Sequence, residues 1–504
     1  MKATRSVVIG LVSVAAALAA GHLVAGLVSP LASPFLAVGN TAIDLTPHPV
    51  KDFAIRTFGE NDKLVLLGGM AVVLAGLGVV AGLLSRRGPW PGTALAGLLG
   101  LLGIAAVLAR PTTTTWAVLA PVASLVVGVL AFRWLWSREK PAETAAGTPG
   151  RRRFLVSTAA IAAGAGVAAV GGQWLAGRVD VEASRRAITL RPRVKAPEIP
   201  FDADFVREGT PPFMTPLDKF YRVDTALSIP RLRAEDWRLR VHGMVDNEMV
   251  LTYDDLLRRP LEEKTITLVC VSNEVGGPYI STANFIGVSL PDLLREAGVR
   301  PGSDQLATRS VDGWTCGTPV ESIMAPGSNA MLAIGMNGEP LPLERGFPVR
   351  MVVPGLYGYV SATKWLVDVE LTTFDAFDPY WVQRTWAKKA PVKTMSRIDR
   401  PKSFERVPAG KFVAAGIAWA QHTGIDRVEV RVDGGPWQDT TLSTEVNVDT
   451  WRMWRVELDL KEGNHTVECR ATDRNGRTQT DQRAAPIPDG ATGWHSMVFT
   501  SVAS

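Results

Sequence analysis

The 504-residue sequence contains only three cysteines, Cys270, Cys316 and Cys469. They form no CxxC pair and no zinc-type spacing, so neither a disulfide framework nor a thiolate zinc site is indicated. An odd number leaves at least one of them free or bound to something that is not protein. Histidine is nearly as scarce: there are six, and none lies between residues 243 and 421. A cysteine nucleophile wants an imidazole base within reach. For Cys270 the nearest in sequence are His242 and His422. Only His22 falls inside a long apolar run, with His48 in the loop that follows, so the paired axial histidines of a membrane haem are not indicated. None of those runs carries Asp or Glu, which argues against a proton or ion path through them. The net charge of +5 is modest, and its arginines cluster beside apolar segments. That excess reads as a membrane signal and not as a nucleic-acid patch.

What the sequence does have is divided unevenly. The first third is rich in Ala, Leu, Gly and Val, and the remainder is charged, with Trp, Pro and Asp throughout. A membrane-spanning helix needs about 20 mainly apolar residues. Runs at about 7–28, 64–84, 93–109 and 116–136 meet or approach that length, and a fifth begins at Phe154. Lys2 and Arg5, Arg86 and Arg87, and the group Arg133, Arg138, Lys140 and Arg151 to Arg153 mark three cytoplasmic flanks. Segment 30–63 balances Lys51, Arg56 and Lys63 against Asp44, Asp52, Glu60 and Asp62, and is expected outside. Five spans then place everything after about Gly177 on the extracytoplasmic side, in a multi-pass cell-membrane protein. The stretch "RRRFLVSTAAIAAGAG" also reads as a twin-arginine (Tat) export signal, a route that carries folded, cofactor-loaded domains. The plainer alternative is an anchor with a basic flank.

The expected organisation is a four-helix membrane region (1–140), a twin-arginine-like segment with the fifth helix (141–177), and a Pro- and Arg-rich linker arm (178–215). A mixed α+β domain (216–398) and a β-sandwich of immunoglobulin size (399–504) follow. In the α+β domain, "LTYDDLLRRP" reads as a short helix capped by Thr252, and "VSLPDLLREAGV" as one capped by Ser289 and closed by Gly298. "FPVRMVVPG" and "TKWLVDVELT" read as strands. Beyond residue 399, "RVEVRVDGGPWQ", "WRMWRVELDL" and "HTVECRATD" alternate apolar and polar residues between turns. Cys469, alone there, reads as a small buried apolar residue.

Cys270 closes the strand-like run "TITLVC", immediately before the polar, Gly-rich loop "SNEVGG". From the residues alone three roles stand open: a nucleophile, a buried inert thiol, or a thiolate completing the coordination of a metal whose other ligands come from a cofactor.

The stretches "FYRVDTAL", "TLVCVSNEVGG", "GVSLPDLLREAGV" and "FPVRMVVPGLYGYVSATKWLVDVELT", in this order over about 210–500, resemble the sulfite oxidase family of molybdopterin enzymes. The five-span leader resembles the membrane-anchored actinobacterial members. The resemblance implies a sulfite-oxidase-like molybdopterin domain followed by an immunoglobulin-like domain, which leaves a homodimer as a candidate assembly. It implies a molybdenum–molybdopterin cofactor (Moco), with Cys270 as the protein's metal ligand beside two pterin sulfurs, and two-electron oxygen-atom transfer as the chemistry. It further implies pterin contacts from Asp218, Tyr221, Arg222, Asn273, Arg345, Arg350, Ala362, Thr363 and Lys364. Trp314 falls loosely where sulfite oxidases carry a Tyr near the metal, and Cys316 is expected as pocket wall or core.

The departures from that pattern bear on substrate. Glu274 and Val275 stand where sulfite oxidases place anion-binding arginines, and Val360, Ser361 and Ala362 where another arginine is expected. Only Arg222 remains. Sulfite and an S- or N-oxide such as methionine sulfoxide, free or protein-bound, are both open, and Glu274 leans away from the anion. No His-Pro-Gly-Gly haem signature occurs. Electrons are therefore expected to leave through a separate electron-transfer protein or a quinone. The rival expectation is a non-catalytic, membrane-anchored binding module with a decayed cofactor site.

Overall fold

The computed structural model describes residues 3–29, 32–47, 50, 53–54, 57–58, 61–110, 115–138, 149–177 and 180–503. Of the residues used above, Lys2, His48, Lys51, Asp52, Arg56, Glu60 and Lys140, together with positions 141–148, lie outside this set. The chain divides into two compact units, Met1–Asp180 with Thr225–Pro230, and Val181–Asp224 with Arg231–Ser504.

The first unit contains α1 (Ala3–Val28), α2 (Pro34–Leu45), α3 (Asp62–Leu84), α4 (Trp90–Leu108), α5 (Leu119–Arg138) and α6 (Pro149–Gly177). Five helices, Ala3–Val28, Asp62–Leu84, Trp90–Leu108, Trp116–Arg138 and Arg152–Leu175, are long and apolar enough to cross a membrane. Small residues set how closely they approach. A Cβ on Gly82 of α3 would lie 2.0 Å from the Ser6 carbonyl oxygen of α1, and one on Gly10 of α1 would lie 1.8 Å from that of Gly78. The two backbones therefore touch, as small residues four apart allow between membrane helices. Helix α2 lies in the segment read from sequence as a loop. Its Ala37 joins Ala25, Ala32, Ala106, Val107 and Ala120 in one buried cluster, so packing and not periodicity makes it a helix. Segment Thr225–Pro230 belongs to this unit, and Lys63 Nζ donates to the Ala226 carbonyl at 2.8 Å.

The second unit opens with the short helix α7 (Val181–Arg186), where the sequence suggested only an arm. Its strands are β1 (Arg238–Gly243), β2 (Met249–Thr252), β3 (Glu262–Val269), β4 (Ile280–Ser289), β5 (Gln305–Ser310), β6 (Thr315–Pro319), β7 (Met331–Met336), β8 (Glu339–Pro340), β9 (Arg350–Val352) and β10 (Leu366–Thr372). One sheet has the order β2-β1-β10-β5-β6, with β1 and β10 parallel; the other has the order β3-β4-β7-β8, with β9 also on β7. Helix α8 (Tyr253–Leu257) starts on the expected Thr252, which forms a reciprocal capping box with Asp255. Helix α9 (Leu290–Ala297) is capped by Ser289 and stopped by Gly298 in the left-handed conformation.

A second pair of sheets follows: β11 (Met395–Arg400), β12 (Arg406–Pro408), β13 (Gly410–Trp419), β14 (Ile425–Val432), β15 (Gln438–Asp439), β16 (Thr441–Leu442), β17 (Arg452–Leu460), β18 (Gly463–Asp473) and β19 (His495–Val502). Their orders are β11-β13-β17-β16 and β12-β19-β18-β14-β15. Phe412, Ala414 and Trp454 from one sheet meet Val428, Val467, Cys469 and Phe499 from the other in a common core. Cys469 is fully buried there, where burial pushes its thiol up to about 12.

The edge of β3 is closed by this C-terminal region. Thr267 N–H donates to the Asp449 carbonyl at 3.0 Å, Gln421 Nε2 donates to the Thr267 carbonyl at 2.5 Å, and Asn447 Nδ2 donates to the Thr265 carbonyl at 3.0 Å. These bonds satisfy polar groups that an edge strand would otherwise expose. They also fix the strand that ends at Cys270.

Candidate functional site

Strand β3 is buried along Thr265–Val269, its two threonines included, and Cys270 follows it directly. The Cys270 N–H still donates to the Tyr279 carbonyl at 3.0 Å, so residue 270 keeps the strand's register. The loop then turns back at once. Asn273 N–H donates to the Cys270 carbonyl at 3.1 Å, and Asn273 Oδ1 accepts from Tyr279 N–H at 2.8 Å. Asn273 is buried and laces the loop from inside. Gly276, at φ +82°, lies against the C-terminal region: a Cβ there would sit 2.2 Å from His495 Nε2. One residue on, Arg397 donates to the Gly277 carbonyl at 2.9 Å. The loop after Cys270 is thus held from beneath by β11 and β19.

Cys270 is 8% exposed. Burial pushes its thiol up, while hydrogen bonds with Ser272 and the charge of Lys364 pull it down. Tyr221 and Tyr357 are both near enough to feel its charge. Burial raises both phenols, that of Tyr357 to about 12, so both keep their protons at neutral pH. Tyr357 belongs to "GLYGYVSATKW" and was not singled out from sequence; no periodicity marks it.

Two arginines lie buried beside this group with no hydrogen-bonded carboxylate, although the charges of Glu344 and Asp224 reach Arg345. Arg350 is 4% exposed; it donates once, to the Arg345 carbonyl at 3.3 Å, and its Nε has no hydrogen-bond partner. Burial lowers it to about 10. Arg345 is 5% exposed and donates to the carbonyls of Tyr221 at 2.7 Å and Leu217 at 3.0 Å, and its Nε is likewise unmatched. Their guanidinium carbons sit 5.4 Å from the Phe220 ring (Arg345) and 5.7 Å from the Phe285 ring (Arg350). Lys364 is also sunk, which lowers it to about 8, against the pull of Asp224. Asp224 accepts from Lys364 Nζ at 3.0 Å and from Arg222 Nε at 2.9 Å, so one carboxylate answers two of the expected cations. Nothing in the sequence marked Asp224 as the partner of Lys364, which lies 140 residues away.

The other expected residues are placed as follows. Thr363 is fully buried: its hydroxyl meets that of Thr308 at 2.6 Å and its carbonyl accepts from Met351 N–H at 2.8 Å. Ala362 is partly exposed beside it. Cys316 is buried against Thr318, Thr363 and Thr308, and burial carries its thiol to about 11; it is core beneath the 362–364 segment. Asp218 is exposed, and in that loop it is the Leu217 carbonyl that holds Arg345. Trp314 sits in the β5–β6 turn, where its backbone bonds go to Asp312 at 3.2 Å and Ser310 at 2.9 Å; no contact described for it reaches Cys270. The structure thus brings together Cys270, Asn273, Tyr221, Arg345, Arg350, Lys364 and Arg222. Among the described residues no group of three His, Cys, Asp or Glu could hold a metal ion, so Cys270 serves a metal only beside an outside set of ligands.

Residues 226–381 match the oxidoreductase molybdopterin binding domain. Rat mitochondrial sulfite oxidase is 31% identical over 339 residues, which cover 57% of this chain and 61% of the relative. Over this region the chain is similar to the sulfite oxidases. Another relative in this family comparison, inducible nitrate reductase [NADH] 2 of soybean, is 28% identical over 333 residues, 54% of this chain and 37% of the relative. The sulfane dehydrogenase SoxCD of Paracoccus pantotrophus aligns over 55% of this chain and 81% of its own, with a TM-score of 0.48 and 24% identity. The chain spans about three fifths of the length of the mammalian sulfite oxidases it matches, 61%. The matched domain and these relatives imply a molybdenum–molybdopterin cofactor, and the residues present fit one. Two buried guanidinium groups, each with an unmatched Nε and no hydrogen-bonded carboxylate, suit a phosphate. A lone thiol at a strand end suits a metal whose remaining ligands the pterin carries.

Proposed function

We propose that this chain is a membrane-anchored, molybdenum-dependent oxidoreductase in which the Cys270 thiolate is the protein's ligand to the metal. The pair of buried arginines, Arg345 and Arg350, each with an unmatched Nε and lying next to Cys270's neighbour Tyr221, carries this reading. Bound there, the cofactor supplies two-electron oxygen-atom transfer. The chain's own residues hold and orient. Arg345 and Arg350 take the pterin phosphate. Ser272 and the Lys364 charge favour the thiolate that burial opposes. Tyr221, kept protonated, has a hydroxyl to donate to a substrate oxygen.

The substrate class follows from charge. Asp224 neutralises part of what Lys364 and Arg222 bring. Glu274 and Val275 follow Cys270 in place of arginines. A dianion such as sulfite gains little from such a mouth and loses its hydration. An uncharged S-oxide or N-oxide loses far less, so reduction of such an oxide, methionine sulfoxide included, is the reading we favour. The experiment is a screen of the metal-replete full chain against sulfite, methionine sulfoxide and small S- and N-oxides, with Cys270→Ser as control. We expect turnover of an uncharged oxide, abolished in the variant. Sulfite as sole substrate would reverse the substrate assignment, and equal turnover by Cys270→Ser would remove Cys270 from its role.

Five spans, export of the second unit across the membrane by a twin-arginine signal, an immunoglobulin-like C-terminal sandwich that pairs two copies, and a separate electron-transfer protein or quinone complete the reading. It is supported by five apolar helices, basic residues in alternate flanks, and two β-sheets sharing one core.

A further inference from the structure

His422 follows β13 at φ +64°, a left-handed conformation that a histidine keeps only where its surroundings hold it. Its ring lies against the turn 354–357: a Cβ on Gly355 would sit 2.3 Å from His422 Nε2. Nε2 donates to the Pro354 carbonyl at 2.9 Å, and Nδ1 lies 2.8 Å from Asp449 Oδ1. Carbonyl and carboxylate are both acceptors. A neutral imidazole carries one N–H and answers one of them; the imidazolium carries two and answers both. Asp449 is buried, and its Oδ2 already accepts from Asn329 Nδ2 at 2.6 Å. Among the described residues its Oδ1 has no other polar partner than the ring. The turn that His422 holds borders the thiol. Tyr357 feels the charge of Cys270, and a Cβ on Gly358 would lie 3.9 Å from the Val269 carbonyl oxygen. Segment 390–392 binds the turn as well: Tyr357 N–H donates to the Ala390 carbonyl at 3.0 Å, and Val392 N–H to the Gly355 carbonyl at 2.9 Å.

We propose that His422, protonated on both nitrogens, is a positioning residue that clamps the turn 354–357 beside Cys270, and that the clamp opens when the imidazolium loses a proton. The consequence for turnover rests on the role given to Cys270 above; the clamp itself does not. Asp449 is the charge that faces the ring. Its bond raises the imidazole above the ordinary 6.5, opposed by burial and helped by the Pro354 carbonyl. Of the other groups nearby, Tyr357 keeps its proton, Lys393 is tied to Asp489 at 2.9 Å, and Glu445 and Arg474 pair at 2.9 Å beside Gly424. With a raised pKa, the contribution is complete below pH 6.5 and is lost as pH rises through the higher folded value.

Amide hydrogen exchange of the full chain in detergent, read by mass spectrometry, is the test. The readout is the exchange rate of His422→Gln divided by that of wild type at the same pH, which cancels the intrinsic pH dependence. For the Tyr357 and Val392 amides the ratio should be about fivefold at about pH 6 and approach one at about pH 9. Val430, within β14, should stay at one throughout. His465→Gln is the control: it breaks the same kind of double bond, to Asp433 and the Lys461 carbonyl at 2.7 Å each, and should leave Tyr357 at one. Where His422→Gln does not fold, wild type decides alone: protection of Tyr357 relative to Val430 must fall about fivefold between the same two pH values. Turnover is the second readout. The wild-type kcat should fall over the pH range in which the ratio falls, towards a low and flat His422→Gln. A ratio of one at every pH overturns the clamp. A raised ratio that does not change with pH makes His422 a structural contact and overturns it equally. The expected ratio in a protein that turns over no substrate would sink the reaction assigned to Cys270 and leave the clamp standing.

Discussion

Replacing Arg350 by Met should have opposite effects on the empty and the loaded protein. Burial lowers the guanidinium from its ordinary value to about 10, which corresponds to roughly 3 kcal/mol held against the charged form. The group is still charged at neutral pH, so that cost is present throughout the working range. Its compensation within the protein is small: one 3.3 Å bond to the Arg345 carbonyl and the Phe285 ring at 5.7 Å, together about 1 kcal/mol. Met fills a similar volume without charge, so cofactor-free Arg350→Met should be more stable by about 2 kcal/mol. The loaded protein should lose charge-assisted bonds to phosphate worth about 1.5–3 kcal/mol each. The assay is thermal melting of the full chain in detergent, from cells with and without molybdopterin synthesis, alongside pterin content. The variant should melt higher than wild type when empty, and lower, with reduced pterin, when loaded. A variant that melts lower in the empty form, or that retains wild-type pterin, would refute the reasoning.

Gly276→Ala should cost about 2–5 kcal/mol. A left-handed alanine costs roughly 1–2 kcal/mol, and its Cβ would lie 2.2 Å from His495 Nε2, forcing the ring aside; urea denaturation should show the loss, and His495→Ala should recover the steric part only. His495 also gives a pH dependence. Its Nδ1 accepts the Ile398 N–H at 2.9 Å, and burial, then Arg397 and Arg483, lower it from 6.5 to about 4. With a depressed pKa its contribution is complete above pH 6.5 and is lost as pH falls towards 4, by about 3 kcal/mol over that window; melting curves of His495→Gln should lack this slope.

Much of the fold was legible because local rules agree with tertiary structure. Thr252 and Ser289 cap the helices their spacing suggested, and the five apolar runs form long helices. Cys270 was conspicuous because thiols are few and a strand ends there. What could not be read depends on contacts across long stretches of chain. Asp224 meets Lys364, and His495 and Arg397 reach the loop after Cys270 from more than a hundred residues away. Helix α2 exists because alanines from separate helices pack together. Trp365, at φ +52°, takes a left-handed conformation directly after Lys364, which no composition rule for a tryptophan predicts.

The most direct test is X-ray absorption at the molybdenum edge on purified full chain and on Cys270→Ser. Three sulfur neighbours per metal in the wild type, falling to two in the variant, is the expected outcome. An unchanged sulfur count, or no molybdenum in protein from cofactor-competent cells, would contradict a metal held by Cys270.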